Sequence, residues 1–188
     1  MDFQLILSII LGLGLSSAVG FRIFVPALIT SVGVHFNYLE LADSMQWMSS
    51  IPAMVTLGVA TVLEIIAYYV PVLDNVLDTI ATPAAAVCGT VLMGSTIMEI
   101  DPLIKWPISI IAGGGLATTI QSGTTTVRAA STGFTAGLGN PVISTLEAIF
   151  AIVMSIISIF LPILAGFVIL WLIYKLFIQK KLPREVKQ

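Results

Sequence analysis

The chain has 188 residues, 57% of them hydrophobic and only 10% charged, with a mean hydropathy of +1.06. This excludes a soluble domain of ordinary composition and leaves room for about five crossings of roughly 20 apolar residues each. The net charge of −2 decides little, because in a bilayer the position of each charge matters more than the sum.

The first hydrophobic stretch runs from about Phe3 to Val34 and is too long for one straight crossing. Gly20, Arg22 and Pro26 at its middle predict a kink or a break. The segment "HFNYLELADSMQWMSS" is interfacial, with Tyr38 and Trp47 suited to an aromatic belt. A second stretch spans about Ile51 to Val70 and ends at Pro71. The connection "PVLDNVLDT", with Asp74 and Asp78 four apart, reads as a solvated interfacial loop. A third stretch, a linking helix, covers about 83–98 with Pro83 at its first position.

The fourth stretch starts near Ile108 as "ISIIAGGGLATTIQSGTTTVRAAST" and is also expected to be kinked or broken. Its second half is too polar to face lipid, so it must line protein or water. The fifth, from about Pro141 to Ile178, exceeds one bilayer thickness. It predicts either a long tilted helix kinked near Pro162 or a second short crossing.

Lys175, Lys180, Lys181, Arg184 and Lys187 crowd the C-terminus. The positive-inside rule places it in the cytoplasm, where residues 179–188 would form a basic tail touching anionic headgroups, with no nucleic-acid partner. Five crossings would then put the N-terminus outside, Asp43 and Lys105 inside, and Asp74, Asp78 and Asn140 outside. Asp2 without a basic n-region argues against a cleaved signal. The expectation is a single multi-pass domain over 1–178, in a bacterial cell membrane.

Self-comparison adds a duplicated pattern. "ATVLEIIA" aligns with "ISTLEAIFA", matching Leu63-Glu64 to Leu146-Glu147, and "VGFRIFVPALITSVG" lies on "TTVRAASTGFTAGLG", matching Arg22 to Arg128. Two halves, about 3–71 and 108–178, would each hold an Arg-bearing segment and a Leu-Glu helix. Three crossings between them reverse direction, which predicts an inverted repeat with its site at the repeat interface. The fold class expected is an all-α polytopic bundle.

Arg22, Glu64, Arg128 and Glu147 fall at hydrocarbon depth, where each costs roughly 2.5–3.5 kcal/mol at a helix centre unless paired or wet. One reading pairs Arg22 with Glu64 and Arg128 with Glu147 to lock the helices of each half. The other has them line a polar path, with Ser16, Ser17, Gln121, Ser122, Thr125, Asn140 and Ser144 beside them. Cys88 and His35 each stand alone, so neither a disulfide nor a metal or other cofactor is expected. No nucleophile–base arrangement is visible, so no enzymatic activity is expected.

The runs "GFRIFVP", "LEIIAYYVPVLDNVLDTIATP" and "GLGNPVISTLE" together resemble the DUF4126 family of multi-helix membrane proteins, over about residues 10–175. The resemblance implies that Arg22, Pro26, Glu64, Pro71, Asp74, Arg128, Asn140, Pro141, Ser144 and Glu147 occupy family-typical positions. Many relatives carry Asp-Lys where this chain has Tyr68-Tyr69, and a second acid where it has Ala148. The family implies an architecture and no activity. The favoured expectation is a channel-like or transporter-like protein moving an ion, a proton or a small polar solute. It would be a homo-oligomer, because five helices enclose a path poorly. A structural membrane protein is the alternative, and a lipid-modifying enzyme the least favoured.

Overall fold

The computed structural model describes residues 3–98 and 100–177, so Asp2 and the basic run from Lys180 to Lys187 lie outside the described residues. Among the described residues the chain is all helical, without a strand. The α-helices are α1 (Phe3–Val19), α2 (Phe24–His35), α3 (Ile51–Ala67), α4 (Pro71–Thr96), α5 (Pro102–Ile108), α6 (Gly115–Thr135), α7 (Asn140–Phe160) and α8 (Pro162–Phe177). A 3₁₀ segment, Asp43–Ser49, precedes α3, and a π-helical stretch, Ser109–Gly114, joins α5 to α6.

Proline sets many of these starts. α3, α4, α5 and α7 each carry proline in their first two positions, where its missing N–H is no loss. The Ser50 side chain accepts from Ala53 N–H, and Asp101 from Leu103 N–H at 2.8 Å, which caps α3 and α5. Pro71 therefore starts a helix as well as ending the preceding stretch. The supposed loop with Asp74 and Asp78 is the first two turns of α4, and Pro83 lies inside that helix rather than opening one. Pro107 is also tolerated inside a helix, and the turn after it widens to π winding, so Pro102–Thr135 continues without the expected break.

The first stretch does break. Residues 20–23 leave the helix, and α2 returns alongside α1. Along α7 the path is plain: Gly14 abuts Ser158 and Arg22 meets Ser144, after which Gly33 is back beside Ile159. The fifth stretch divides in the same way at Leu161, whose φ of −137° and ψ of 60° end α7. α8 then folds back, since Ala18 packs against both Met154 and Ile169, and Leu172 and Lys175 share a groove with Ile143 and Leu146. A single long kinked helix is thus replaced by a hairpin.

Three helical segments are long and apolar enough to cross a bilayer: Val76–Thr96, Pro102–Thr135 and Asn140–Phe160. The 3₁₀ segment with α3, bent by 69°, would make a fourth, while α1, α2 and α8 are shorter apolar helices. The surface is greasy, with Val55, Val59, Leu63, Ile111 and Phe150 more than half exposed. Arg22, Glu64, Asp74, Lys105, Arg128 and Glu147 lie inside, an arrangement suited to lipid rather than water.

The core is built from Leu15, Val19, Ile23, Val34, Leu92 and Ala117 with small side chains between them. α4 crosses the π-helical stretch most closely, because Gly89 and Gly113 let the backbones approach: a Cβ on Gly113 would lie 2.6 Å from the Gly89 carbonyl oxygen. One end of the bundle gathers residues 20–24, 64–74, 128–147 and Lys175; the other gathers 35–50, 96–98, 100–105 and 158–162. Asp74, Asp78 and Asn140 therefore sit at the end that α8 reaches, not opposite to it. In a Cys88→Ala background, single cysteines at Leu138 and Tyr174 are expected to react with an impermeant maleimide from the same membrane face. Labelling from opposite faces would refute the α7–α8 hairpin.

Candidate functional site

Most ionisable residues of the interior converge at one end, while buried Lys105 lies at the other. Arg22 lies in the break between α1 and α2, Glu64 and Tyr68 close α3, Asp74 and Asp78 open α4, Arg128 is on α6, and Asn140, Ser144 and Glu147 open α7. All are almost fully buried except Asp78, whose side chain is 13% exposed.

Arg128 is the centre. Its Nη1 donates to Glu147 Oε2 at 2.6 Å, its Nε to Asp78 Oδ2 at 3.2 Å, and its Nη2 to Asp78 Oδ1. The fork on Asp78 is the bidentate geometry that a planar guanidinium favours. Asp74 adds an oxygen 3.7 Å from Nε and accepts from Asn140 Nδ2 at 2.6 Å, and Asn140 also donates to Thr132. Both arginines lie over the Tyr68 ring, with Cζ of Arg22 3.9 Å and Cζ of Arg128 4.3 Å from its centre.

The pairing within each half is only partly as expected. Arg128 meets Glu147, but Arg22 does not pair with Glu64. Its Nη2 donates to Ser144 O at 2.9 Å and to Ser144 Oγ, and lies 3.4 Å from Glu147 Oε2. Glu64 instead accepts from two backbone N–H groups at the start of α2, Ile23 to Oε1 at 2.8 Å and Phe24 to Oε2 at 3.0 Å. The physical reason lies in the break: a helix beginning at Phe24 presents free N–H groups and a positive dipole end to the nearest carboxylate.

Of the polar residues expected to lie beside these charges, Asn140 and Ser144 join the cluster. Ser16 donates to Gly89 O and Ser17 to Gly14 O, where both serve helix packing. Gln121 is buried and bonds Thr125, whereas Ser122 faces outward. Sequence reasoning misses Asp74, Asp78 and Tyr68 as site residues. A signal for the two acids exists, since Pro71 at a helix start places two acids four apart on one face.

Two guanidinium charges stand against four carboxylates, Glu64, Asp74, Asp78 and Glu147, a formal excess of two negative charges. Several buried polar atoms in the cluster make no hydrogen bond within the protein: Arg22 Nε and Nη1, Asp74 Oδ1, Asn140 Oδ1 and Glu147 Oε1. Among the described residues, no group of His, Cys, Asp and Glu is arranged to hold a metal ion.

The sequence profile of DUF4126, described as a domain of unknown function, matches residues 9–180. The chain belongs to the DUF4126 family. No curated protein and no solved structure matches it. In this DUF4126 chain the arginines find their aromatic contact at Tyr68. Changing Tyr68 to leucine is expected to cost about 2 kcal/mol by removing the two desolvated cation–π contacts. Tyr68→Phe should keep most of it, and thermal unfolding in detergent distinguishes the two; equal melting of Tyr68→Leu and wild type would refute the role.

Proposed function

We propose that this integral membrane protein moves a proton, alone or with a small ion, through the cluster around Arg128. The observation that carries the reading is the buried excess of carboxylates over guanidiniums, with unpaired donors and acceptors in the same place. At membrane depth such an excess must be balanced by bound protons or cations, and a group that takes up and gives back a proton is the working part of a proton relay. Further support comes from helix direction. α3 and α7, the two Leu-Glu helices, run in opposite senses, and so do α2 and the end of α6, as an inverted duplication would require.

With the basic tail in the cytoplasm, the cluster faces the cytoplasmic half of the cell membrane. A homo-oligomer fits this reading, because Thr119, Ser122 and Thr126 give α6 an outward polar face, although Thr119 and Thr126 donate to Gly115 O and Ser122 O of their own helix. The second reading, a structural protein, draws support from the completeness of the Arg128 bonds to Asp78 and Glu147. Reconstituted into liposomes, wild type is expected to carry protons or small ions above the level of empty vesicles, and Glu147→Gln to fall to that level. Wild type indistinguishable from empty vesicles across protons, inorganic ions and small organic anions would leave the structural reading.

A further inference from the structure

Glu64 is held in an unusual way for an acid at membrane depth. It meets no arginine at ion-pair distance. Its two oxygens are taken one each by two consecutive backbone N–H groups, Ile23 and Phe24, at the start of the 12-residue helix α2. A helix N-terminus with its N–H groups directed at one point is an anion-binding site, and here the anion is the protein's own side chain. Two N–H groups reading two oxygens of one group match an O–C–O fork better than a spherical ion.

A second observation is independent of that helix end. Arg22, adjacent in the chain and 1% exposed, keeps Nε and Nη1 without a hydrogen-bond partner in the protein. A buried guanidinium with two unused donors is costly unless an acceptor is at hand. Arg22 satisfies only its Nη2, on Ser144 and near Glu147. Arg22 immediately precedes the two N–H groups in the chain, and Glu64 lies within its electrostatic reach. The N–H pair and the free guanidinium edge together provide more donor capacity than one carboxylate uses.

We propose that the start of α2 with Arg22 is a carboxylate-binding site that Glu64 fills at rest and that a small monocarboxylate takes over when Glu64 accepts a proton. Charge supports the exchange. Glu64 leaves as the neutral acid and one monoanion enters, so the cluster keeps its formal charge and the burial cost of an unbalanced ion is avoided. The titratable and charged groups within electrostatic reach of Glu64 are Arg22 in the break, Tyr68 on its own helix, Cys88 on α4 and Arg128 on α6, with Glu147 beyond Arg22. None of them is an acid that could replace Glu64 on the α2 N–H groups without leaving an arginine. The inference rests on the proton-moving reading above and names the companion ion: one proton travels with one monocarboxylate, as an electroneutral pair.

Pyruvate is the probe and chloride the comparison, at constant ionic strength with gluconate. For detergent-solubilised wild type, pyruvate is expected to raise the unfolding temperature in acid, its apparent affinity falling by about tenfold per pH unit once Glu64 is ionised. Glu64→Ala should bind pyruvate with no such pH dependence, and Arg22→Gln should bind it weakly at every pH. In liposomes, a pyruvate gradient should drive protons in the same direction, unaffected by membrane potential. Wild type that pyruvate never stabilises between acid and neutral pH overturns the proposal even if Glu64→Ala fails to fold. Equal stabilisation by chloride overturns the assignment to a carboxylate. Proton or ion flux without pyruvate binding sinks this inference alone, whereas pH-dependent pyruvate binding without any flux sinks the transport reading and leaves the site.

Discussion

Arg128→Leu is expected to cost about 3–5 kcal/mol, because it strands Asp78 and Asp74 as buried charges without an arginine and leaves Glu147 with Arg22 alone. Those three acids surround one guanidinium, with the closest contacts on Asp78 and Glu147. Arg128→Lys should recover only part of the loss, since a point charge cannot form the fork on Asp78. Adding Asp78→Leu to Arg128→Leu should cost less than the sum of the two single changes, because the second removes a charge that the first left unpaired. Thermal unfolding of the four proteins in one detergent measures this. Additive losses would mean that Arg128 and Asp78 do not act on one another.

The second large effect lies away from the charges. Gly113→Val is expected to cost at least about 3 kcal/mol, the upper end for atoms forced into a packed core. Its Cβ would sit 2.5 Å from Met93 Cβ and 2.6 Å from the Gly89 carbonyl oxygen, and backbone cannot turn aside as a flexible side-chain tip can. Gly115, two residues on, is exposed, and a Cβ added there would meet nothing within 4 Å. Gly115→Ala should therefore be neutral or stabilising by up to about 1 kcal/mol through helix propensity. Similar losses at both positions would show that glycine matters here for flexibility rather than for closeness.

Much of this architecture is legible in the sequence because apolar runs and prolines act locally. The all-helical character, the break at Gly20–Ile23 and the convergence of Arg128 with Glu147 follow from hydropathy, from Pro26 and from the cost of lone charges in lipid. Long-range choices are not legible in the same way. Whether Arg22 prefers Glu64 or Glu147 depends on where α2 begins, since its free N–H groups claim Glu64 first. Asp74 and Asp78 resemble a wet turn until Arg128, fifty residues beyond Asp78, is known to lie against them. The hairpin at Leu161 depends on whether α8 can pack on α1, which Gly14 and Gly166 permit by leaving room beside Ser158 and Ile10.

The continuous helix from Pro102 to Thr135 is 34 residues long, roughly 51 Å at the α-helical rise. That exceeds the bilayer's hydrocarbon core of about 30 Å. Its π-wound stretch lies near one end and Arg128 near the other, separated by some fourteen residues from Gly114, or about 21 Å. The π turn and Arg128 thus share one rod, separated by less than the thickness of the hydrocarbon core. A bend of about 5° at the π stretch displaces Arg128 by about 2 Å on that 1.5 Å-per-residue arm. A movement of that size is enough to part the 2.6 Å contact with Glu147, so that bond depends on how straight the rod is held.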